Sequence, residues 1–125
     1  MCKQLKLSAN SNIIAIGSLY ANQTKEGRIS YSTSKHALLG AVKTLALEKS
    51  TDNIKVNMIS PGFVDTELTR KNNTSERINF LEKNIPLGLV NSNEIATLCL
   101  YLINHNKSIT GQNIIIDGGY SIKGI

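Results

Sequence analysis

Three short apolar runs are the feature that most restricts how this chain can fold. They read NIIAI at 12–16, IKVNMI at 54–59 and NIIID at 113–117. The first is short, rich in isoleucine and lacks polar alternation, which is typical of a strand buried on both faces of a parallel sheet. Small or turn-forming residues follow all three runs: Gly17-Ser18, Ser60-Pro61-Gly62 and Gly118-Gly119. The sequence therefore predicts three strands that each end at a turn.

Helical patterns lie between these strands. One helix begins near Ser30, with Ser30 or Ser32 as its cap, and ends near Lys49-Ser50. Its predicted apolar stripe comprises Ala37, Leu38, Ala41, Leu45 and Ala46. A second helix precedes the third strand, with Ser92 or Asn93 as its cap. The predicted inner face of that helix comprises Ile95, Leu98, Cys99 and Leu102. Alternation of strands and helices predicts a parallel α/β fold.

Residues 64–90 are polar and only loosely periodic, with a helix expected at 76–84 and a stop at Pro86 and Gly88. A connection this long without structure is uncommon in a compact domain, so we interpret 64–90 as a lid over a site. Ligands of such sheets bind outside the carboxyl ends of the strands. Gly17-Ser18 and Ser60-Pro61-Gly62 lead into loops and the lid, which makes them the better candidates for site residues.

Composition excludes several classes of function. The net charge is +5, from 14 Lys and Arg against 9 Asp and Glu, but the cations are scattered and form no run. We interpret them as a solvated surface and expect no nucleic-acid partner, although a phosphate-bearing ligand is compatible. No run approaches the roughly 20 apolar residues of a membrane span, so no membrane association is expected. Cys2 and Cys99 lie far apart, which indicates no metal site, no disulfide framework and a reducing, cytoplasmic location.

Tyr31 and Lys35 lie about one helical turn apart on the same face of the first predicted helix. A phenol alone titrates near pH 10 and is a poor acid–base catalyst at neutral pH. A nearby ammonium group favours the phenolate because the charges are opposite. The pair is therefore a chemically sensible acid–base unit, although this spacing alone is common. Ser18, at the end of the preceding strand, adds a polar group to the same region.

Four segments, in this order, resemble the short-chain dehydrogenase/reductase family, in the branch that includes 3-oxoacyl-(acyl-carrier-protein) reductases. They are NIIAIGS (12–18), YSTSKHALLGAVKTLALE (31–48), IKVNMISPGFVDTEL (54–68) and ITGQNIIIDGGY (109–120). The resemblance implies a three-layer Rossmann-type α/β fold with a parallel sheet. It also implies that 1–125 is the C-terminal half of a single NAD(P)-binding domain, holding its last three strands with their helices. The substrate lid is then 64–90.

The resemblance implies catalytic roles for three residues. Tyr31 would be the general acid that protonates the carbonyl oxygen during reduction, or the base in the reverse direction. Lys35 would stabilise the phenolate form of Tyr31 and bind the nicotinamide ribose. Ser18 would hold and polarise the substrate carbonyl. No metal ion takes part in this scheme.

Besides Tyr31 and Lys35, which the resemblance also places against the cofactor, four further residues would contact the cofactor, which is NAD or NADP. Pro61 and Gly62 would let the backbone approach the nicotinamide. Val64 would bind the carboxamide through its main chain, and Thr66 would reach the carboxamide or the pyrophosphate. The glycine-rich turn that binds the pyrophosphate, and the residue that chooses between NAD and NADP, belong to the family's first half.

The expected function is hydride transfer between a nicotinamide and a carbonyl or secondary alcohol. The substrate is a 3-oxoacyl thioester, acyl-carrier-bound or free, a sugar or a small ketone, and the family implies a homo-oligomer, either dimer or tetramer. Tyr120 and the tail would form a subunit contact. The alternative is a truncated, non-catalytic fragment or binding module that lacks the pyrophosphate-binding half. In either case the strand at 12–16 would have an unpaired edge.

Overall fold

A computed structural model describes residues 11–123; Cys2 lies outside this range. Three strands form one parallel sheet in the order β1-β2-β3, which is also their order along the chain. The strands are β1 (Asn12–Ile16), β2 (Lys55–Pro61) and β3 (Asn113–Ile116). The α-helices are α1 (Ile29–Glu48), α2 (Glu67–Lys71), α3 (Ser75–Asn84), α4 (Ser92–Asn104) and α5 (Tyr120–Lys123). The predicted strands and parallel α/β architecture are confirmed.

β2 is the strand that is buried on both faces. Its first six residues are buried, and it pairs with β1 on one side and β3 on the other. The expectation that β1 is doubly buried is wrong, because β1 is only half-buried and Ile16 is 50% exposed. The reason is position. Within residues 11–123, β1 pairs only with β2 and forms the edge of the sheet.

α1 packs against one face of the sheet. The core there consists of Ala21, Val42, Ala46, Ile54, Val56 and Met58. The predicted stripe is wrong for Ala37 and Ala41, which are exposed, because the helix presents the neighbouring face with Val42 to the sheet. The predicted caps are also wrong. The helix begins one residue before Ser30, and Ser32 shares a hydrogen bond of 2.8 Å with Thr24 instead.

α4 lies on the opposite face. Ile13 packs into the α1 core, so the side chain of the preceding Asn12 points to the other side of β1. There its amide nitrogen donates to the carbonyl of Ile103 over 3.3 Å, and its amide oxygen accepts from Asn106 over 3.1 Å. The sheet is therefore the middle of three layers, as expected. None of the helices described for this chain is long and apolar enough to cross a membrane.

The start of α4 differs from the prediction by one residue. The cap is Asn91, whose side chain accepts from the backbone of Asn93 over 2.9 Å. The Glu94 carboxylate accepts from the backbone N–H of Asn91 over 2.9 Å, which completes a reciprocal capping box. On the inner face, Leu102 is fully buried, whereas Cys99 is only half-buried and not the core residue that was expected.

The 64–90 segment is folded and closed at its base. Val64 and Val90 form a parallel bridge, in which Asp65 donates to the Val90 carbonyl and Val90 donates to the Phe63 carbonyl, each over 2.9 Å. Arg70 binds both oxygens of Asp65 at 2.6 and 2.9 Å, and it reaches Glu82 of α3 at 3.4 Å. The bonds from the Arg70 guanidinium lower the pKa of the Asp65 carboxyl. The ion pair between Arg70 and Glu82 thus joins α2 to α3.

Candidate active site

Ser18 lies at the carboxyl end of β1, where the sheet meets the site. It is buried, and its hydroxyl accepts a hydrogen bond of 3.3 Å from the backbone of Tyr20, capping a short 3-10 helix at Leu19–Ala21. The residue before it is glycine for a packing reason, since a Cβ on Gly17 would lie 2.7 Å from the sulfur of Met58. Close packing of β1 on β2 therefore fixes the position of Ser18, and its O–H is left to donate.

Tyr31 and Lys35 occupy the first turns of α1. Tyr31 is 43% exposed, and the ammonium nitrogen of Lys35 lies 5.6 Å from the centre of its ring. That nitrogen also donates to the carbonyl of Ile16 over 3.3 Å, which ties the helix to the end of β1. Tyr20 packs edge-on against Tyr31, with ring centres 5.7 Å apart. The structure therefore brings the tyrosine–lysine pair to the strand end that carries Ser18.

Gly62 follows Pro61 at the carboxyl end of β2. Its backbone N–H donates to the Ile116 carbonyl over 2.9 Å, and a Cβ on it would lie 2.7 Å from the Cβ of Asp117. A glycine is thus required where β2 and β3 end side by side. Burial acts to raise the pKa of Asp117, but hydrogen bonds from Ser121 and the backbone of Gly119 outweigh it and leave that pKa below its usual range.

Val64 and Thr66 lie just beyond, where β2 leads into the 64–90 segment. Thr66 caps α2: its hydroxyl accepts from the backbone of Thr69 over 3.1 Å and donates to the Thr69 hydroxyl over 3.0 Å. Val64 and Thr66 therefore follow the end of β2, which pairs with β1, but no hydrogen bond or ring contact in the described part of the chain links them to Ser18, Tyr31 or Lys35.

A cavity of about 350 Å³ is lined by Tyr20, whose ring packs against Tyr31, and sequence reasoning missed most of its lining. Four aromatic and two cationic side chains contribute: Tyr20, Phe63, Phe80, Tyr120, Lys25 and Arg77. Phe63 and Tyr120 pack edge to face with ring centres 5.1 Å apart. The sequence signal that could have identified Phe63 and Tyr120 is their position, because each directly follows a glycine in the turn after β2 or β3. No three potential metal ligands converge among the residues that the structure describes.

The amino-acid sequence matches known proteins over nearly its whole length. A family model described as enoyl-(acyl carrier protein) reductase matches residues 1–121. The 3-oxoacyl-(acyl-carrier-protein) reductase FabG of Buchnera aphidicola (subsp. Schizaphis graminum) is 40% identical over 109 residues, which are 86% of this chain and 44% of that protein. FabG of Thermotoga maritima is 36% identical over 115 residues, covering 90% and 46%. The chain thus spans about half the length of the curated relatives that it matches.

Solved structures of similar proteins superpose on this chain over most of its length. A 4-hydroxyisoleucine dehydrogenase complexed with NADH superposes with a TM-score of 0.83 at 34% identity, covering 90% of this chain and 48% of the other. A short-chain dehydrogenase family protein of Francisella tularensis gives a TM-score of 0.86 at 33% identity, covering 93% and 53%. Both share the parallel sheet and helices described above. Sequence and fold together establish that this chain belongs to the short-chain dehydrogenase/reductase family.

Proposed function

We propose that this chain carries the proton-transfer group of an NAD(P)-dependent oxidoreductase that interconverts a carbonyl and a secondary alcohol. The observation that carries the proposal is the placement of Tyr31 and Lys35 on one face of α1, with the ammonium 5.6 Å from the phenol ring and bonded to the end of β1. The phenol is partly exposed and borders a cavity through Tyr20, so a substrate carbonyl can reach it.

In this proposal Tyr31 donates its phenolic proton to the carbonyl oxygen as the carbon is reduced, and it accepts that proton in the reverse direction. Lys35 stabilises the phenolate that remains, because its positive charge is held close by the bond to Ile16. Ser18 donates its hydroxyl proton to the same carbonyl oxygen. Its burial and its bond from Tyr20 support a fixed position for that hydroxyl.

Residues at the end of β2 would hold the nicotinamide cofactor, which supplies the hydride when bound. Val64 gives a test of this fit. In the bridge, the backbone N–H of Asp65 donates to the Val90 carbonyl, and the carbonyl of Phe63 accepts from the Val90 N–H. The N–H and C=O of Val64 therefore point away from Val90, and no described residue bonds to them. A carboxamide needs one donor and one acceptor, so the residues present are compatible with the predicted contact. Lys35, Pro61, Gly62 and Thr66 complete the proposed set.

The relatives also inform the wider proposal. The FabG names favour a 3-oxoacyl thioester among the substrate classes, and the NADH complex of the solved relative supports a nicotinamide cofactor, with NAD or NADP left open. Because the chain spans about half of those proteins, we propose that a preceding half supplies the pyrophosphate site. A homo-oligomeric assembly and a cytoplasmic location belong to the same proposal.

The test is Tyr31→Phe in the natural protein, assayed by NADH or NADPH oxidation with an acetoacetyl thioester. We expect kcat to fall by about 10²- to 10⁴-fold, because the phenolic proton is lost while the ring packing is kept. Tyr101→Phe, an exposed tyrosine on α4, is the matched control. Unaltered turnover in Tyr31→Phe would contradict the proposal. Turnover by the 125-residue chain alone would contradict the alternative of a non-catalytic fragment.

A further inference from the structure

The charged side chains that line the cavity near Tyr31 are all positive. Lys25 and Arg77 line it, and no acidic side chain among the described residues does so. The guanidinium of Arg77 makes no hydrogen bond or ion pair within residues 11–123. Arg70, seven residues earlier in the same 64–90 segment, binds both Asp65 and Glu82. The charge of Arg77 is therefore free to serve a ligand.

Aromatic rings hold Arg77 in place. Its guanidinium carbon lies 5.1 Å from the ring centre of Phe80 and 6.0 Å from that of Phe63, within the range of cation–π attraction. Phe63 is in turn packed edge to face against Tyr120. These contacts use none of the five N–H donors of the guanidinium. The stacked rings thus hold the Arg77 guanidinium at the cavity, and its N–H groups remain able to donate hydrogen bonds to a ligand.

Tyr20 packs against Tyr31 and also lines the cavity that Arg77 lines. A molecule that reaches from Tyr31 past Tyr20 into this cavity therefore enters a space that Arg77 borders. A volume of about 350 Å³ suits a small molecule. A guanidinium pairs best with planar or branched anions, through two parallel charge-assisted hydrogen bonds. An acyl chain that ends in a methyl group would leave Arg77 without a partner, whereas a carboxylate or phosphate would satisfy it.

We infer that the substrate is a small carbonyl compound that carries a carboxylate or phosphate, and that Arg77 is the residue that selects it. This inference rests on the proposed reaction, and within its substrate classes it favours an anionic small carbonyl compound over the 3-oxoacyl thioester that the relatives' names suggest. It assigns Arg77 a role in binding and none in proton transfer. Arg77 therefore acts mainly on KM, whereas Tyr31 acts on kcat.

The test compares matched substrates in the natural protein with NADH or NADPH. The carboxylate pair is 3-oxobutanoate and its methyl ester, and the phosphate pair is hydroxyacetone phosphate and hydroxyacetone. We expect kcat/KM to favour the anion of at least one pair by about 10- to 100-fold, the range of a charge-assisted hydrogen bond. Arg77→Met should abolish that preference mainly through KM, and Arg77→Lys should keep part of it. The pair whose anionic member is preferred, with a preference that Arg77→Met removes, shows whether Arg77 binds a carboxylate or a phosphate.

Lys83→Met is the matched control, because it removes one positive charge from the same helix at a residue that does not line the cavity. It should leave the preference unchanged. Calorimetric titration with each anion gives a readout without turnover, and Arg77→Met should weaken the tighter binding at least about 10-fold. Equal use of the anion and its neutral partner in both pairs, or equal anion binding by wild type and Arg77→Met, would overturn the inference. If neither the four compounds nor the acetoacetyl thioester is reduced while anion binding still depends on Arg77, that result would instead contradict the proposed function.

Discussion

Gly62 provides the sharpest test of how the strand ends are packed. Gly62→Ala adds a Cβ 2.7 Å from the Cβ and 2.9 Å from the Cα of Asp117, and the Cα cannot move aside without the backbone of the strand end. The φ angle of Gly62 is not positive, so alanine meets no intrinsic backbone strain there. Any destabilisation by the substitution must therefore come from this contact.

The size of the effect follows from these distances. The two Cβ atoms must separate by about 0.8 Å to reach the roughly 3.5 Å of an ordinary carbon contact. The same separation stretches the 2.9 Å bond from Gly62 to the Ile116 carbonyl beyond hydrogen-bond range. Overpacking costs about 1–3 kcal/mol and the bond about 1 kcal/mol. We expect the free energy of unfolding to fall by about 2–4 kcal/mol.

Urea unfolding followed by far-ultraviolet circular dichroism measures this loss as a midpoint lowered by about 1–2 M. Gly40→Ala is the matched control, since nothing lies within 4 Å of its added Cβ on the exposed face of α1. Removing a helix-interior glycine should there raise the free energy of unfolding by about 0.5–1 kcal/mol. Equal stability of Gly62→Ala and wild type would refute the packing argument, and a parallel loss in Gly40→Ala would show that the contact is not its cause.

Two further predictions concern Asn91 and Asp117. Asn91→Ala removes the cap of α4 and should lower the free energy of unfolding by about 0.5–2 kcal/mol, seen in the same urea assay, with Ser92→Ala as the control that keeps the cap. The folded-state pKa of Asp117 is lowered, so its contribution to stability is present above the unfolded value of about 3.9 and is lost as the pH falls through the folded value. Asp117→Asn should therefore be less stable than wild type at neutral pH and should lose less stability in acid. A wild-type acid transition that Asp117→Asn reproduces in full would contradict this assignment.

The sequence was sufficient to predict the sheet and the grouping of Ser18, Tyr31 and Lys35 near the end of β1. Parallel strands place their carboxyl ends at one edge, and a four-residue spacing places Tyr31 and Lys35 on one helix face. The helix spacing is a local rule, and the shared edge follows from parallel pairing alone, so neither rule needs the details of side-chain packing to bring Ser18 to the same region. The assignment of each residue to the site's chemistry depended on resemblance, and it stays a prediction.

Features set by long-range packing were not predictable. The half-burial of β1 depends on which strands flank it. The prediction placed Ala41 of α1 against the sheet, whereas the structure places the next residue, Val42, there. The cap of α4 was ambiguous because several adjacent residues can cap, and the carboxylate of Glu94 decided for Asn91. The cavity could not be predicted, because its lining comes from four distant parts of the chain and no local sequence pattern shows that they meet.

The bridge between Val64 and Val90 has a consequence for how the family can diversify. Its two hydrogen bonds are made by backbone atoms alone, so almost any side chains can supply them. The sheet therefore meets the intervening residues at two fixed points, whatever their number or kind. A family member could therefore exchange the residues between these two points and keep the same bridge, so that the proposed substrate lid can vary while the strands stay the same.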